Sequence, residues 1–195
     1  MLTMVSDALG KTGEASEVYL VHRLDTVVGG LLAFARNKSA AKELSALVSD
    51  GTLKKEYLAV VEGDAYGGTL IDYLAKDSRI NKAIVKNSSQ NGAKYAELSY
   101  TVLEKVNTEN GTLSLVRISL KTGRFHQIRA QFSSRNMPLL CDSKYGSKNH
   151  RARHLALFAY KLDFRLSGEK ITVIKYPELD IYPWNLFSEE SYKDD

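Results

Sequence analysis

Two long runs of strand-like sequence separated by turn residues constrain this chain more than any other feature. Lys94–Lys105 and Thr112–Leu120 are rich in aliphatic, aromatic and β-branched residues, and Asn107-Thr108-Glu109-Asn110-Gly111 joins them. An antiparallel hairpin of that length needs more strands beside it and another layer to cover its apolar face. The chain offers both. Lys54–Glu62 is a strand closed by Gly63, and His154–Leu166 turns through Ser167-Gly168-Glu169 into Lys170–Tyr176. Glu17–Val21 is a short strand, and Leu31–Ala35 is a buried one led in by Gly29-Gly30.

Helices are fewer. Ala40, Leu44, Leu47 and Val48 share a face, Asn37-Lys38-Ser39 supplies the N-cap and Gly51 the stop. Lys121-Thr122-Gly123-Arg124 is a tight turn that opens a helix over Phe125–Arg135, with Phe125, Ile128 and Phe132 as its apolar stripe. Residues 1–17 read as helix and then loop, broken around Gly10-Lys11-Thr12-Gly13, and Pro183–Phe187 as a short terminal helix. Gly67–Gly92 reads as a polar loop whose Arg79, Lys82, Lys86 and Lys94 are either solvated or in contact with phosphates. The expected architecture is one α+β domain over residues 1–195. It has a mixed, mainly antiparallel sheet, flanking helices and a central cleft.

Composition removes several classes of function. No apolar run approaches the ~18 residues of a membrane span. The lone Cys141 forbids an internal disulfide framework and suits a reducing cytoplasm. A net charge of +4 permits a polyanionic partner without requiring one. His22, His126, His150, His154 and Cys141 fall at no standard zinc spacing, and neither a glycine-rich phosphate loop nor a nucleophile elbow is present. No metal and no cofactor are expected. A glycosidase needs facing carboxylates, and no second acid stands in a matching motif.

The chemistry has to come from uncofactored side chains. In Val21-His22-Arg23-Leu24-Asp25 an apolar run stops at ionisable residues and resumes at Gly29, placing Asp25 at the mouth of a sheet. A carboxylate on a rigid element suits catalysis, but an Asp after a strand also caps turns. Arg129, beside the apolar stripe of its helix, reads either as a snorkelling cation or as a counter-ion.

Four segments together break that ambiguity. They are His22-Arg23-Leu24-Asp25, Lys55-Glu56-Tyr57 in its strand, Thr122-Gly123-Arg124-Phe125-His126-Gln127-Ile128-Arg129, and Asp142-Ser143-Lys144-Tyr145-Gly146. In this order and spacing the chain resembles the RluA-type pseudouridine synthases from about Val18 to about Trp184. The resemblance implies the pseudouridine synthase fold and cofactor-independent isomerisation of uridine in structured RNA, ribosomal or transfer. Asp25 would be the carboxylate that initiates cleavage of the C1′–N1 bond. Tyr57 would lie on the uracil and help remove the C5 proton, and Arg129 would keep Asp25 ionised and aimed. Ile128 would pack on the base, and Arg23 would fill the space the base vacates. His22, Arg124 and His126 would complete the substrate-binding set.

Where the family has a basic or polar residue and then D-T-S-G after the catalytic Asp, this chain has Thr26-Val27-Val28-Gly29-Gly30, with Gly29 in place of the usual Ser. The strand and N-K-P-x-G-like turn that precede the H-R-L-D region, and a separate S4-type RNA-binding module, are missing from the sequence. The expectation is a catalytic domain shortened at its start and monomeric, with dimerisation through an exposed strand edge as the alternative. The rival function is an RNA-binding protein that keeps the cleft without turnover.

Overall fold

A computed structural model describes residues 2–11, 17–151 and 154–193. The elements run α1 (Leu2–Lys11), β1 (Tyr19–Leu20), β2 (Gly29–Gly30), β3 (Phe34–Ala35), α2 (Lys38–Ser49), β4 (Lys54–Glu62), β5 (Gly68–Asp77), β6 (Lys82–Lys86), β7 (Lys94–Thr108), β8 (Gly111–Leu120), α3 (Gln127–Ser133), β9 (Leu157–Leu166) and β10 (Glu169–Ile174). Seven strands form one antiparallel path in the order β10-β9-β4-β8-β7-β5-β6, and β2 adds to β9 in parallel. β1 and β3 form a separate two-stranded ribbon. The mixed, mainly antiparallel sheet of the α+β expectation is therefore present.

The long hairpin is β7 and β8, paired from Leu98–Leu120 to Thr108–Gly111. β4 lies between β8 and β9, and its run Tyr57-Leu58-Ala59-Val60-Val61 is buried throughout. Alternation divides that run between two cores. Tyr57, Ala59 and Val61 pack with Leu98, Ile118, Ile128 and Phe132. Leu58 and Val60 pack with Leu115, Tyr160, Trp184 and Phe187 from the C-terminal tail. A strand covered on both faces has no solvent side, which explains its nearly unbroken apolar sequence. α2 starts as expected at Asn37, whose Oδ1 accepts from the Ala40 amide at 2.8 Å, and buries Leu44 against Leu162 and Phe164.

Four expectations need correction. Gly67–Gly92 is mostly two strands rather than a loop. Leu70, Asp72 and Leu74 share one face of β5, but a carboxylate at the middle position breaks the apolar alternation. That carboxylate is satisfied by Gln131 and Arg135 across the fold. The buried strand at Leu31–Ala35 shrinks to Phe34–Ala35, with residues 31–33 only half-buried beyond the β2–β9 contact. The helix over Phe125–Arg135 is limited to Gln127–Ser133. The terminal helix is a single 3₁₀ turn, Trp184–Leu186. The loop expected after α1 lies mainly outside the described residues.

Candidate active site

Asp25 sits in the connection between β1 and β2, where the Val28 amide donates to the Asp25 carbonyl at 2.9 Å and closes a turn. The loop is pinned just beyond, because Gly29 and Gly30 lie alongside Phe158 and Ala159 and the Leu31 amide donates to the Ala159 carbonyl. At Gly30, with φ +117°, a Cβ would stand 2.2 Å from the Ala159 carbonyl oxygen, so only glycine fits. Gly30 thus allows the loop that carries Asp25 to lie directly on the sheet, while Gly29, which replaces the motif's Ser, faces the Phe158 ring. His22 clips the loop from its other end. It is buried, and its Nε2 accepts from the Ala33 amide at 3.1 Å. Burial, with the Lys55 charge nearby, lowers its pKa to about 4, so it is a neutral acceptor at pH 7.

α3 is buried on every side: Gln127, Ile128, Arg129, Ala130, Gln131 and Phe132 are each at most 5% exposed. A helix with three polar residues at such depth needs partners for them inside the protein, and of their side-chain atoms only Gln131 Oε1 lacks one among the described residues. Gln127 Oε1 accepts from Thr122 Oγ1 and the Arg124 amide, while its Nε2 donates to the Glu97 carbonyl. Gln131 Nε2 reaches Asp72 Oδ2 at 2.7 Å and the Leu70 carbonyl. Arg129 is therefore no snorkelling surface cation. Its Nε and Nη2 grip Asp142 at 2.7 and 2.8 Å in a two-bond fork, and its Nη1 stands 3.4 Å from Asp25 Oδ2. Asp25 is the weaker of its two carboxylate contacts. Asp142, only 2% exposed, is the neutralising partner of the buried guanidinium.

Electrostatics follow from that arrangement. Burial opposes the Arg129 charge, yet the bonds from Asp142 and the charges of Asp142 and Asp25 outweigh it and hold the pKa above its ordinary value. His126 Nε2 lies 3.5 Å from the same Asp25 oxygen, and its Nδ1 is 2.9 Å from the Tyr145 hydroxyl. Burial lowers the His126 pKa to about 4 against the pull of Asp25, and Arg129 adds to the lowering. Burial pushes the Tyr145 phenol up to about 12. Tyr57 is raised further, first by burial and then by the Asp25 charge, and stays a neutral phenol at physiological pH. Burial lowers the pKa of Lys55, two residues before it on β4.

A cavity of about 110 Å³ is lined by Arg23, Asp25, Tyr57, Arg124, His126, Ile128 and Arg129, with Lys55, Leu120 and Leu157 among its other walls. A neighbouring cavity of about 420 Å³ shares Arg23, Asp25, His126 and Arg129 and adds Asp142 and Lys144. Arg23 and Arg124 are exposed at the rim, and Arg124 Nε is tied to the Tyr95 carbonyl at 2.8 Å. Of the residues expected at the site, only His22 lies off the lining. A larger cavity, about 740 Å³ near the β7–β8 turn, contains none of these groups. Its size does not make it the site, because it lacks a buried carboxylate held by a buried cation. Among the described residues no group of three His, Cys, Asp or Glu could hold a metal.

A family model described as RNA pseudouridylate synthase matches residues 3–134, more than half of the chain. The chain belongs to the RNA pseudouridylate synthase family. Among similar members is a ribosomal large subunit pseudouridine synthase D from Neisseria meningitidis serogroup B. It is 32% identical over 200 residues, covering 92% of this chain and 51% of that protein. A tRNA pseudouridine synthase C from Haemophilus ducreyi is 35% identical over 143 residues, covering 70% of this chain and 58% of that protein. The chain spans about half the length of the curated relatives it matches. The solved structure of human RNA pseudouridylate synthase domain containing 1 has the same fold. Its TM-score is 0.76 at 24% identity, covering 86% of this chain and 72% of that one.

Within this pseudouridylate synthase family member, sequence reasoning assigned no role to Asp142, Tyr145 or Lys55, although each falls in a quoted motif. A signal for Asp142 was available. A guanidinium has five donors, and one partly exposed Asp25 cannot satisfy them in a dry interior, so a second acid had to lie near.

Proposed function

We propose that this chain isomerises uridine to pseudouridine in structured RNA, ribosomal or transfer, and that it works in the cytoplasm, where a lone thiol stays reduced. The observation that carries this reading is Asp25. Its side chain is 28% exposed to a cavity, while one oxygen faces a buried Arg129 already neutralised by Asp142. A reaction that breaks C1′–N1, forms C1′–C5 and moves one proton from C5 to N1 needs no redox partner. One ionised carboxylate at C1′ or the base, a wall for the ring and a proton path suffice. Ile128 and Tyr57 supply the wall. Because Tyr57 is a neutral phenol, it can take the C5 proton only while passing its own hydroxyl proton on, and Asp25 is the nearby acceptor. A stacked base reaches such a recess only by flipping, and the exposed Arg23 at the rim is suited to the gap it leaves.

The test is tritium release from RNA carrying uridine labelled at C5. The parent releases tritium, whereas Asp25→Asn binds the same RNA with similar affinity and releases none. Appreciable turnover by Asp25→Asn would remove the carboxylate from its role. RNA binding by the parent with no turnover on ribosomal or transfer RNA would identify a silent binder.

A further inference from the structure

The two donors that reach Asp25 converge on one oxygen. Arg129 Nη1 and His126 Nε2 stand 3.4 and 3.5 Å from Oδ2, and among the described residues Oδ1 has no hydrogen-bond partner. His126 can act as a donor there only if its proton is on Nε2, and its surroundings decide that. The Tyr145 hydroxyl accepts from the Ala83 amide at 2.7 Å, leaving its single proton for one other acceptor. His126 Nδ1 at 2.9 Å is closer than the Ala83 carbonyl at 3.4 Å. Tyr145 therefore donates to Nδ1, the imidazole proton sits on Nε2, and that proton faces Asp25 Oδ2. The opposite tautomer would turn a nitrogen lone pair toward a carboxylate. Phe125 stacks on the ring with centroids 3.8 Å apart and limits its rotation.

We infer that His126 is a positioning residue: in its Nε2–H form, set by Tyr145 and the Ala83 amide, it shares Oδ2 of Asp25 with Arg129 and leaves Oδ1 as the reacting oxygen. The inference rests on the proposed isomerase reading for its kinetic consequence but not for its geometry. A neutral imidazole suits the task, since it orients the carboxylate without adding a second full positive charge. The 3.5 Å separation is long for a hydrogen bond, and such contacts tighten when substrate closes a site.

Two measurements test it separately. Nitrogen-15 spectra of histidine-labelled protein at pH 7 show His126 as the neutral Nε2–H tautomer in the parent and as a mixture in Tyr145→Phe. A dominant Nδ1–H tautomer in the parent overturns the inference whether or not the protein turns over RNA. In single-turnover tritium release at saturating RNA, His126→Phe lowers the rate about 10- to 100-fold, the worth of one donor to a charged group, with RNA affinity unchanged. His126→Gln keeps an N–H at a similar reach and retains most of the rate. His126 has a φ of +49°, a left-handed conformation that both variants must also adopt, so their melting temperatures separate misfolding from misalignment. Gln as impaired as Phe, or a loss in affinity rather than rate, overturns the assignment. A parent with the Nε2–H tautomer and no turnover leaves the geometry standing and defeats the isomerase reading instead.

Discussion

At the residue scale the decisive group is Arg129, because a buried cation makes its partners obligatory. Removing it leaves Asp142 buried and uncompensated, so Arg129→Ala is expected to cost about 3–5 kcal/mol of stability in urea unfolding. Arg129→Lys is milder but not neutral, since a point charge cannot reproduce the fork to Asp142. Asp142→Ala is expected to match Arg129→Ala within about 1 kcal/mol, because either change leaves one unpaired charge at the same depth. Asp25→Ala should change stability far less, as Asp25 is partly exposed and supplies only the longer contact. If Asp142→Ala unfolds like the parent, the fork is not what holds α3. Gly30 offers an independent check on the loop. Gly30→Ala puts a methyl into the Ala159 backbone and strains φ, with a destabilisation of more than about 1 kcal/mol and a loss of turnover greater than the loss of RNA affinity.

At the scale of elements, the β5–β6 hairpin brings basic side chains close to the cavity. Lys76 Nζ lies 4.7 Å from the Phe125 ring centroid and Lys82 Nζ 4.9 Å from that of Tyr145, so the hairpin's cations sit over two aromatic rings beside the cavity. Arg79 projects from the turn with its side chain 90% exposed. Neutralising Arg79, Lys82, Lys86 and Lys94 is expected to weaken binding to all RNAs alike. The slope of log affinity against log salt should flatten by about 0.7–0.9 per lost phosphate contact. An unchanged slope means that these side chains are only solvated. This hairpin was the least legible element in the sequence, because Asp72 stands where an apolar residue would mark the inner face. β4, β7, β8 and α2 were legible to within a few residues. Their signals are local: an apolar run, two strand-like stretches around turn residues, and a cap with a matching apolar face.

At the scale of the whole molecule, acid sensitivity follows from two buried imidazoles. His22 and His126 are each held near 4 in the folded chain against an ordinary 6.5, so between those values the folded state binds fewer protons than the unfolded one. Their contribution is complete above about pH 6.5 and is lost as the pH falls toward 4. Urea midpoints should therefore decline between pH 6.5 and 4.5, and His22→Gln should make the decline shallower. An identical pH profile in that variant would show that His22 titrates normally in the folded protein.

What the sequence alone determined was the kind of fold and the chemical groups available. The periodicity of side chains sets which stretches become strands or helices, and the four motifs put a carboxylate, a phenol and a guanidinium in one chain. Tertiary structure alone decided how those groups are wired. Asp25, Tyr57, Arg129 and Asp142 come from the β1–β2 connection, β4, α3 and the loop beyond it, and only the tertiary fold brings them to two adjoining cavities that share Asp25 and Arg129. Gln127, Arg129 and Gln131 of α3 look solvent-facing in sequence, yet all three are buried, and Glu97, Leu70 and Asp72 on neighbouring strands supply partners for the two glutamines. Periodicity reports what a residue would do against water. It carries no record of a hydrogen-bond acceptor that arrives from 59 residues away, as Asp72 does for Gln131.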